Sequence, residues 1–466
     1  MVAAFANSIP EPDIFERLVN TEPPTHKRIV FDTACVLGGS IAGLLAARVL
    51  SDFARRVVII ERDQLAGQAP RPGLPQGDQL HLLLPAGRQW LDRWLPGYLE
   101  SAMHLGAIRI TSEAQTYDGM SMAPSPRHYE MLSATRPLLE SAVRGEVLAH
   151  TNISVKCARA TGLHFRDGAV AGVEFTDPLG GAVMEVDFVV DAMGRSSRLP
   201  HWVGDAGFDR PRLERLALPI NYATAVFESA EASANPDVAA MLSIFSPGNA
   251  VDGVSIASAA MVENDQWMAC LIGCGADQPG RTVEEFRCQS AQVGPAFAAA
   301  TAGPVSRDIK RYRQRESRRR HFTDLKNFPA RLVCVGDAVV SFNPVYGQGM
   351  SSAALQASCL HTYLSDSGDF DAPAQEFFRL QQVVADAAWE VSTAGDRSWA
   401  DFLGRVRIDA STRCQRWARN QILQAAFADS SIAELYHEVQ YMLRHPSELA
   451  RPAILEWAVA INSTAS

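Results

Sequence analysis

The sequence predicts an α/β fold in which a parallel-sheet domain is interleaved with an antiparallel-sheet domain and followed by C-terminal helices. A buried apolar strand with a glycine-rich turn lies near the N-terminus, long alternating strands occupy the middle, and helical periodicity dominates the end. The chain has 466 residues, which exceeds the roughly 250–300 residues at which a single core stops growing. We therefore expect at least two substructures.

The first element is a βαβ unit. An apolar strand at 31–37 leads through the turn at 38–43 into an apolar helix, and the next strand, 56–60, ends at Glu61. In the dinucleotide fingerprint the first glycine makes the turn, the middle position lets the backbone approach a pyrophosphate, and the third lets the helix pack on the sheet. Ser40 replaces the middle glycine. Glu61 follows Gly38 by 23 residues, so we expect it to hold a ribose hydroxyl.

A second segment with cofactor-binding character runs from 336 to 350. A buried strand at 331–335 leads into Gly336 and Asp337, and a loop with further glycines precedes a helix of small residues. A carboxylate at a strand end can accept a sugar hydroxyl, and a helix N-terminus offers partial positive charge to an electron-rich group. This order of features suits a ribityl chain followed by a flavin ring.

Together these segments resemble the FAD-dependent aromatic hydroxylases, also called group A flavoprotein monooxygenases. The resemblance covers roughly residues 31–400. The segment 187–198 resembles the mid-chain Asp-Gly-x-x-Ser-x-x-Arg motif of that family, with Ala192 at the glycine position. The segment 133–140 resembles a helix start whose arginine, here Arg136, touches FAD. Within the family, 71–81 and 343–350 are most similar to bacterial polyether-type flavin epoxidases.

The resemblance implies a Rossmann-like FAD-binding domain interleaved with an antiparallel-sheet substrate domain that forms the pocket wall above the flavin. Four tryptophans are expected to anchor the C-terminal helices: Trp389, Trp399, Trp417 and Trp457. The expected boundaries are an N-terminal tail at 1–27, an FAD-binding domain at 28–115, 133–212 and 330–372, a substrate domain at 116–132 and 213–329, and a C-terminal helical region at 373–466.

The same resemblance assigns a set of cofactor contacts. Pro344, Tyr346, Gly347 and Gly349 are expected around the flavin ring, with Tyr346 either a wall of the ring pocket or a plug of the loop. The residues expected to bind FAD are Gly38, Gly39, Ser40, Ala42, Gly43, Glu61, Arg62, Arg71, Gln76, Arg136, Asp337, Pro344, Gly347, Gln348, Gly349 and Met350.

Substrate contacts are harder to assign, because strand alternation does not tell which face meets the flavin. The candidates are His81, Tyr222, Phe245 and Met261, each of which could instead belong to the core or, for His81, to the surface. The segment 310–320 carries seven cationic residues. It is expected to be a solvated strand face or a dock for an anionic group.

The resemblance implies a monooxygenase in which NAD(P)H or a separate flavin reductase reduces FAD. One oxygen atom of O2 then reaches the substrate through a flavin C4a-hydroperoxide. Epoxidation of an alkene in a polyketide or terpenoid intermediate is expected first, because that reaction needs no nucleophile or base from the protein. Hydroxylation of an aromatic polyketide and hydride transfer by a flavin-dependent reductase or dehydrogenase remain alternatives. A flavin halogenase is disfavoured, since the Trp-x-Trp-x-Ile-Pro motif is absent from the sequence.

Composition and charge restrict the classes of partner that the protein is expected to bind. The net charge of −9 argues against nucleic acid, and no apolar run approaches the ~18 residues of a membrane span, so a membrane partner is not expected. The eight cysteines show no metal-binding spacing and several lie in apolar strands, which predicts reduced core thiols, no metal site and a cytoplasmic protein. A small hydrophobic organic molecule is the expected substrate.

Overall fold

The computed structural model describes residues 11–65, 67–69, 71–111, 113–230 and 238–464. The expected α/β architecture is confirmed, with a parallel sheet, antiparallel sheets and C-terminal helices. The strands are β1 (Phe31–Leu37), β2 (Ala54–Glu61), β3 (Leu82–Leu83), β4 (Ile108–Ile110), β5 (Glu113–Tyr117), β6 (Met120–Ser121), β7 (Met131–Ser133), β8 (Ile153–Cys157), β9 (Arg159–Arg166), β10 (Ala169–Asp177), β11 (Gly180–Glu185), β12 (Phe188–Asp191), β13 (Arg212–Glu228), β14 (Ala240–Ile244), β15 (Ile256–Val262), β16 (Gln266–Cys274), β17 (Val305–His321), β18 (Leu332–Cys334) and β19 (Val340–Ser341).

Helices surround these sheets and fill the C-terminal region. The α-helices are α1 (Glu11–Val19), α2 (Ile41–Leu50), α3 (Pro85–Trp94), α4 (Tyr98–His104), α5 (Arg136–Leu148), α6 (Leu199–Asp205), α7 (Val283–Val293), α8 (Pro295–Ala300), α9 (Gln348–Asp366), α10 (Gln375–Gly404), α11 (Ala410–Ala426), α12 (Ser430–Gln440) and α13 (Pro452–Thr464).

A five-stranded parallel sheet forms the centre of the first substructure, in the order β18-β12-β1-β2-β8. Six of the seven residues of β1 are buried, as expected for a parallel strand covered on both faces. Helices α2, α5 and α9 pack together on this sheet, and the three-stranded sheet of β9, β10 and β11 lies against its strands β2 and β12. The carboxyl ends of β1, β2, β12 and β18 therefore meet at one edge.

The second substructure is an eight-stranded sheet in the order β19-β17-β13-β16-β15-β14-β5-β6. Its pairs are antiparallel except for β14 and β5, which run parallel. Phe227 and Trp267 lie on one face of the sheet, beneath Phe286 of α7 and Phe297 of α8. The opposite face, which carries Ile256 and Ile272, lines a cavity together with residues at the carboxyl ends of β1 and β18.

Three expectations about organisation differ from the structure. Residues 11–19 form a helix rather than a loose tail, because Phe15 and Leu18 lie one turn apart and are both buried; residues 1–10 lie outside the described part of the chain. The excursion into the second sheet begins at Glu113 rather than at 116. Trp389 and Trp399 are buried anchors, whereas Trp417 and Trp457 are largely exposed.

The C-terminal helix α13 packs on α11, and its Ala458 belongs to an apolar cluster with Ile422 of α11 and Ile432 of α12. Among the described residues, none of the helices combines the length and apolar character that crossing a membrane requires. The eight cysteines are free thiols, and Cys157, Cys288 and Cys414 are the exposed ones.

Candidate active site

The turn after β1 excludes side chains at two glycines. Gly38 has φ +110°, and a Cβ built there would lie 2.4 Å from the carbonyl oxygen of Ala192. A Cβ on Gly43 would lie 1.9 Å from the carbonyl oxygen of Gly38, so α2 can pack on the turn only without a side chain there. This is the close-approach geometry that a dinucleotide fingerprint requires. Gly39 is also crowded, because its Cβ would lie 2.8 Å from Leu65.

Ser40 stands at the position of the missing glycine for a physical reason. It is the N-cap of α2 with φ −94°, a conformation open to any residue, so no glycine is needed. Its hydroxyl donates to Glu140 at 2.6 Å and accepts from Arg136 at 3.2 Å. The serine thus links the turn to α5.

Glu61 ends β2 beside this turn and is held in place by hydrogen bonds. The Gly39 N–H donates to its carboxylate at 2.7 Å, and the Asp63 N–H donates to the other oxygen at 2.9 Å. Arg71 contacts the same carboxylate at 2.9 Å and also pairs with Glu140. The carboxylate is therefore fixed at the strand end, where an adenosine ribose would sit in this fold.

Arg136 offers a test of whether the site suits the FAD pyrophosphate. It is 6% exposed and lines the cavity beside Ser40. Its Nε has no hydrogen-bond acceptor among the described residues. Burial would raise the pKa of Glu140, but Arg136 and Arg71 outweigh it and lower that pKa. An anionic acceptor next to the turn would satisfy this unpaired Nε–H, so the residues present fit the cofactor.

Asp337 follows the carboxyl end of β18 in a short 3-10 turn. Gly336 has φ +63°, and a Cβ there would lie 2.6 Å from that of Ala42, which explains why both positions are small. Val335 precedes the turn and no side chain caps it, so Asp337 does not act as an N-cap. Burial raises the pKa of Asp337, while Arg136 and other nearby arginines oppose the rise. Its carboxyl lines the cavity, where a ribityl hydroxyl can reach it.

The loop after Ser341 leads into the N-terminus of α9. Pro344–Tyr346 form a 3-10 turn, and Gly347, with φ +67°, is the N-cap of α9. A Cβ built on Gly349 would meet no described atom within 4 Å. The first turn of α9, whose backbone N–H groups have no acceptor within the helix, therefore borders open space that an electron-rich ring edge could occupy.

Behind this loop lies a buried carboxyl that the sequence did not reveal. Asp396 of α10 accepts from Asn343 at 3.0 Å and from the Tyr346 hydroxyl at 3.2 Å, and Tyr222 donates to Asn343. Burial raises the pKa of Asp396 to about 6. Tyr346 thus lines the cavity and also fixes the loop to α10.

The second sheet, on the face opposite α7 and α8, forms the wall of the other half of the cavity. Tyr222 lies on this face and His81 lies close by, so the structure brings both to the cavity. Burial lowers the pKa of His81 to about 4, and its Nδ1 lies 2.8 Å from the Gln79 carbonyl. The apolar wall residues are Leu80, Leu82, Leu242, Ile244, Ile256 and Ile272.

Phe245 and Met261 do not line this cavity. Met261 packs with the opposite face of the sheet. Alternation places Leu242 and Ile244 on the cavity side and hence turns Phe245 away from it. Their position on a strand is the only sequence evidence for these two residues. Strand alternation tells which residues share a face, but it does not tell which face lines the cavity.

Strand β5, the last but one of the second sheet, contributes polar groups that the sequence does not predict. Glu113 and Gln115 line the cavity together with Tyr441 from beyond α12. Alternation in 113–117 would have shown that Glu113 and Gln115 share a face, but nothing local relates them to a residue more than 300 positions away.

The cationic run 310–320 divides into two parts. Lys310, Arg311, Arg313 and Arg315 are exposed along β17, as expected of a solvated strand face. The last three arginines of the run are partly buried. They donate to the Arg195 carbonyl, to Glu214 and to the Ala338 carbonyl, in the order Arg318, Arg319, Arg320.

One cavity of about 650 Å³ joins these groups, within the range of roughly 300–1,000 Å³ that small-molecule sites occupy. Gly39 and Gly43, which were also expected to bind the cofactor, are not among the residues that line it. The expected cofactor residues that line it are Gly38, Ser40, Ala42, Glu61, Arg62, Arg71, Gln76, Arg136, Asp337, Pro344, Gly347, Gln348, Gly349 and Met350.

Comparison with known proteins agrees with this geometry. The family model described as "FAD binding domain" matches residues 32–368. The chain is 31% identical over 434 residues to Protein Rv3254 of Mycobacterium tuberculosis, covering 87% of this chain and 88% of that one.

Solved structures show the same fold. p-Nitrophenol 4-monooxygenase PnpA from Pseudomonas putida DLL-E4 matches with a TM-score of 0.62 and 19% identity, covering 90% of this chain and 99% of that one. The flavin-dependent brominase Bmp2 matches with a TM-score of 0.62 and 13% identity, covering 94% and 100%. The chain therefore belongs to the FAD-binding family of the group A flavoprotein monooxygenases, and the expectation of an FAD-dependent monooxygenase is confirmed at the level of this family.

Proposed function

We propose that this protein binds FAD in the cavity and transfers one oxygen atom from O2 to a small, largely apolar organic substrate. When bound, FAD supplies the redox chemistry that activates O2. The chain positions the cofactor, excludes water from the substrate half and orients the substrate.

One observation carries the proposal: the cofactor cradle and the apolar sheet face line a single continuous cavity. Gly38, Arg136 and Asp337 line one half, and Ile256 and Ile272 line the other. The N-terminus of α9 lines the same cavity. A substrate held against the sheet would face the ring end of the cofactor.

Two reactions fit this arrangement. Alkene epoxidation, which the resemblance to polyether-type epoxidases favours, asks only for an apolar wall. Aromatic hydroxylation benefits from a protein group that can hold or accept the proton of a substrate hydroxyl. Glu113 brings such a carboxyl to the cavity wall, and this observation favours hydroxylation as a second candidate. Both reactions insert one oxygen atom and differ in the substrate.

The electron donor completes the proposal. Either NAD(P)H or a separate flavin reductase reduces the bound FAD, in a cytoplasmic setting where reduced thiols persist. Arg195 and Arg318 line the cavity near Asp337 and give the approach to the cofactor a positive potential that suits an anionic donor.

The experiment uses the full chain reconstituted with FAD. Candidate polyenes and hydroxylated aromatic compounds are incubated under ¹⁸O₂ with NADH, NADPH, or a flavin reductase and NADH. We expect mass spectrometry to show one labelled oxygen atom in a product. Anaerobic turnover at the same rate, with no label incorporated, would contradict the proposal and indicate a reductase or dehydrogenase.

A further inference from the structure

The β5 end of the cavity wall is polar in an otherwise apolar region. Glu113 pairs with Ala240 of β14 and Gln115 pairs with Leu242, so both polar residues lie on the face that carries the apolar wall. Tyr441 packs in an apolar cluster that includes Ala240. All three polar residues line the cavity.

Hydrogen bonds tie the three side chains together. The Tyr441 hydroxyl donates to Glu113 at 3.1 Å, and the Gln115 Nε2 donates to Glu113 and lies 3.1 Å from the Tyr441 oxygen. The carboxylate thereby fixes the orientation of the Gln115 amide, since it can only accept from the NH₂ group.

Gln115 retains an acceptor that nothing satisfies. The residue is 8% exposed, and its Oε1 has no hydrogen-bond donor within the described part of the chain. A buried acceptor without a partner is costly, and native structures leave few of them. The cluster therefore presents a carboxylate and an unpaired amide oxygen to a ligand. Both groups would accept a hydrogen bond from a donor of that ligand.

The cluster lies beside the residues that would hold the flavin ring. Tyr441 directly follows Gln440, whose carbonyl accepts a hydrogen bond at 3.0 Å from Gln348, the first residue of α9. Leu84 packs with Tyr441 in the same apolar cluster, and a Cβ on Gly347 would lie 3.2 Å from Leu84. A substrate anchored here would remain close to the ring-binding loop.

We propose that Glu113, Gln115 and Tyr441 form a specificity site that binds an O–H or N–H donor of an otherwise apolar substrate. The site rests on the proposed function, because it lies in the substrate half of that cavity. The site also leads to an expectation that the proposed function does not: a hydrocarbon without a donor should bind less well than its hydroxylated or aminated counterpart.

The test measures binding to the FAD-loaded chain. The probes are matched sets of one-, two- and three-ring aromatic hydroxyl compounds, their amines and their methyl ethers, titrated by calorimetry and by flavin absorbance. A hydrogen bond to a charged group corresponds to about a 10- to 150-fold preference for the donor over the ether. We expect a preference of that order for the hydroxyl or the amine in at least one set.

Two variants test whether the cluster causes the preference for the donor compound over the ether. Glu113→Gln should remove most of it by reducing affinity for the donor compound about tenfold or more, with the ether unaffected. Gln115→Met removes the unpaired acceptor and should fold at least as stably as the wild type, yet bind the donor compound more weakly. Glu100→Gln, an exposed position on α4, is the control and should leave both affinities unchanged.

The outcomes separate this site from the proposed function. Equal affinity for donor and ether in every set, or an unchanged preference in both variants, would overturn the site even if the chain still incorporated oxygen from ¹⁸O₂. A preference that the variants abolish, in a protein that incorporates no oxygen, would support the site and remove the monooxygenase assignment.

Discussion

At the scale of single residues, the site depends on glycines at positions where neighbouring atoms leave no space for a side chain. Gly38, Gly43 and Gly336 stand where a methyl group would overlap a backbone or side-chain atom. These glycines act through the absence of a side chain, which allows the chain and the cofactor to approach each other closely. Asp337 and Asp396 have a different role, since each brings a buried carboxyl to the loop that would hold the flavin.

Gly43→Ala is expected to abolish FAD binding, because the new Cβ would lie 1.9 Å from the Gly38 carbonyl oxygen. The turn must then move away from α2. The purified variant should be colourless, as measured by flavin absorbance per chain. Gly145→Ala in α5 is the matched control, since a Cβ there meets no described atom within 4 Å, and it should retain full FAD. A yellow Gly43→Ala protein would show that the fingerprint is wrongly placed.

Asp337→Ala is expected to fold, bind FAD about 10- to 150-fold more weakly, and release more hydrogen peroxide per product when FAD is saturating. Loss of a ribityl contact would leave the ring poorly aligned with the start of α9. Affinity is measured by fluorescence titration and coupling by peroxide assay. A variant with lower melting temperature but normal affinity and coupling would assign Asp337 to local folding alone.

The burial of Asp396 predicts the sign of one contribution to the pH dependence of stability. Burial raises its pKa from 3.8 to about 6 in the folded state, so its contribution to stability is present at low pH and is lost as pH rises through 6. Asp396→Asn should therefore gain stability relative to the wild type between pH 4 and pH 7. The gain should reach roughly 3 kcal/mol, at about 1.4 kcal/mol per pKa unit.

Urea unfolding at several pH values measures this difference. Asp191 has a pKa raised by burial to about 6, but it is present in both proteins and cancels in the comparison. Asp308→Asn, at an exposed position of β17, is the control for removing a carboxyl from the surface. A constant offset between Asp396→Asn and the wild type would mean that Asp396 does not titrate in this range.

At the scale of elements, local patterns predicted what depends on local sequence. The strand expected at 31–37 is β1 itself, and the helix after the Gly347 loop begins at Gln348. Which face of the second sheet meets the cofactor depends on packing between distant segments. The sequence therefore leaves Phe245 and Met261 open as either pocket or core residues, and the structure places both away from the cavity. The pairing of Tyr441 with Glu113 likewise has no local signal.

Leu242→Trp tests which face of the second sheet lines the substrate half of the cavity. Leu242 lies on the cavity side of β14, so an indole there would occupy space meant for the substrate. We expect normal FAD content with KM raised about tenfold or more, which corresponds to the 1.5–3 kcal/mol of one large apolar contact. Phe245→Leu, on the other side, should lower stability but leave KM unchanged. The reverse pattern would show that the opposite face binds the substrate.

At the scale of the whole molecule, one cavity joins segments that are far apart in the chain. Glu61 and Asp337 come from the parallel sheet, Ile272 from the second sheet, and Val391 and Tyr441 from the C-terminal region. A ligand that fills such a cavity contacts every substructure. Cofactor binding is therefore expected to stabilise the molecule as a unit rather than one domain of it.

The last prediction follows from that arrangement. FAD at 100 times its dissociation constant should stabilise the native state by about 2.7 kcal/mol, which raises the melting temperature by a few degrees. FMN lacks the adenosine ribose that Glu61 is placed to hold, and it should raise the melting temperature far less at the same concentration. Calorimetry should show a single transition that moves upward with FAD, because the parallel sheet, the second sheet and α10 all line the site. Two transitions, of which FAD shifts only one, would show that the substructures unfold independently and that the cavity does not couple them.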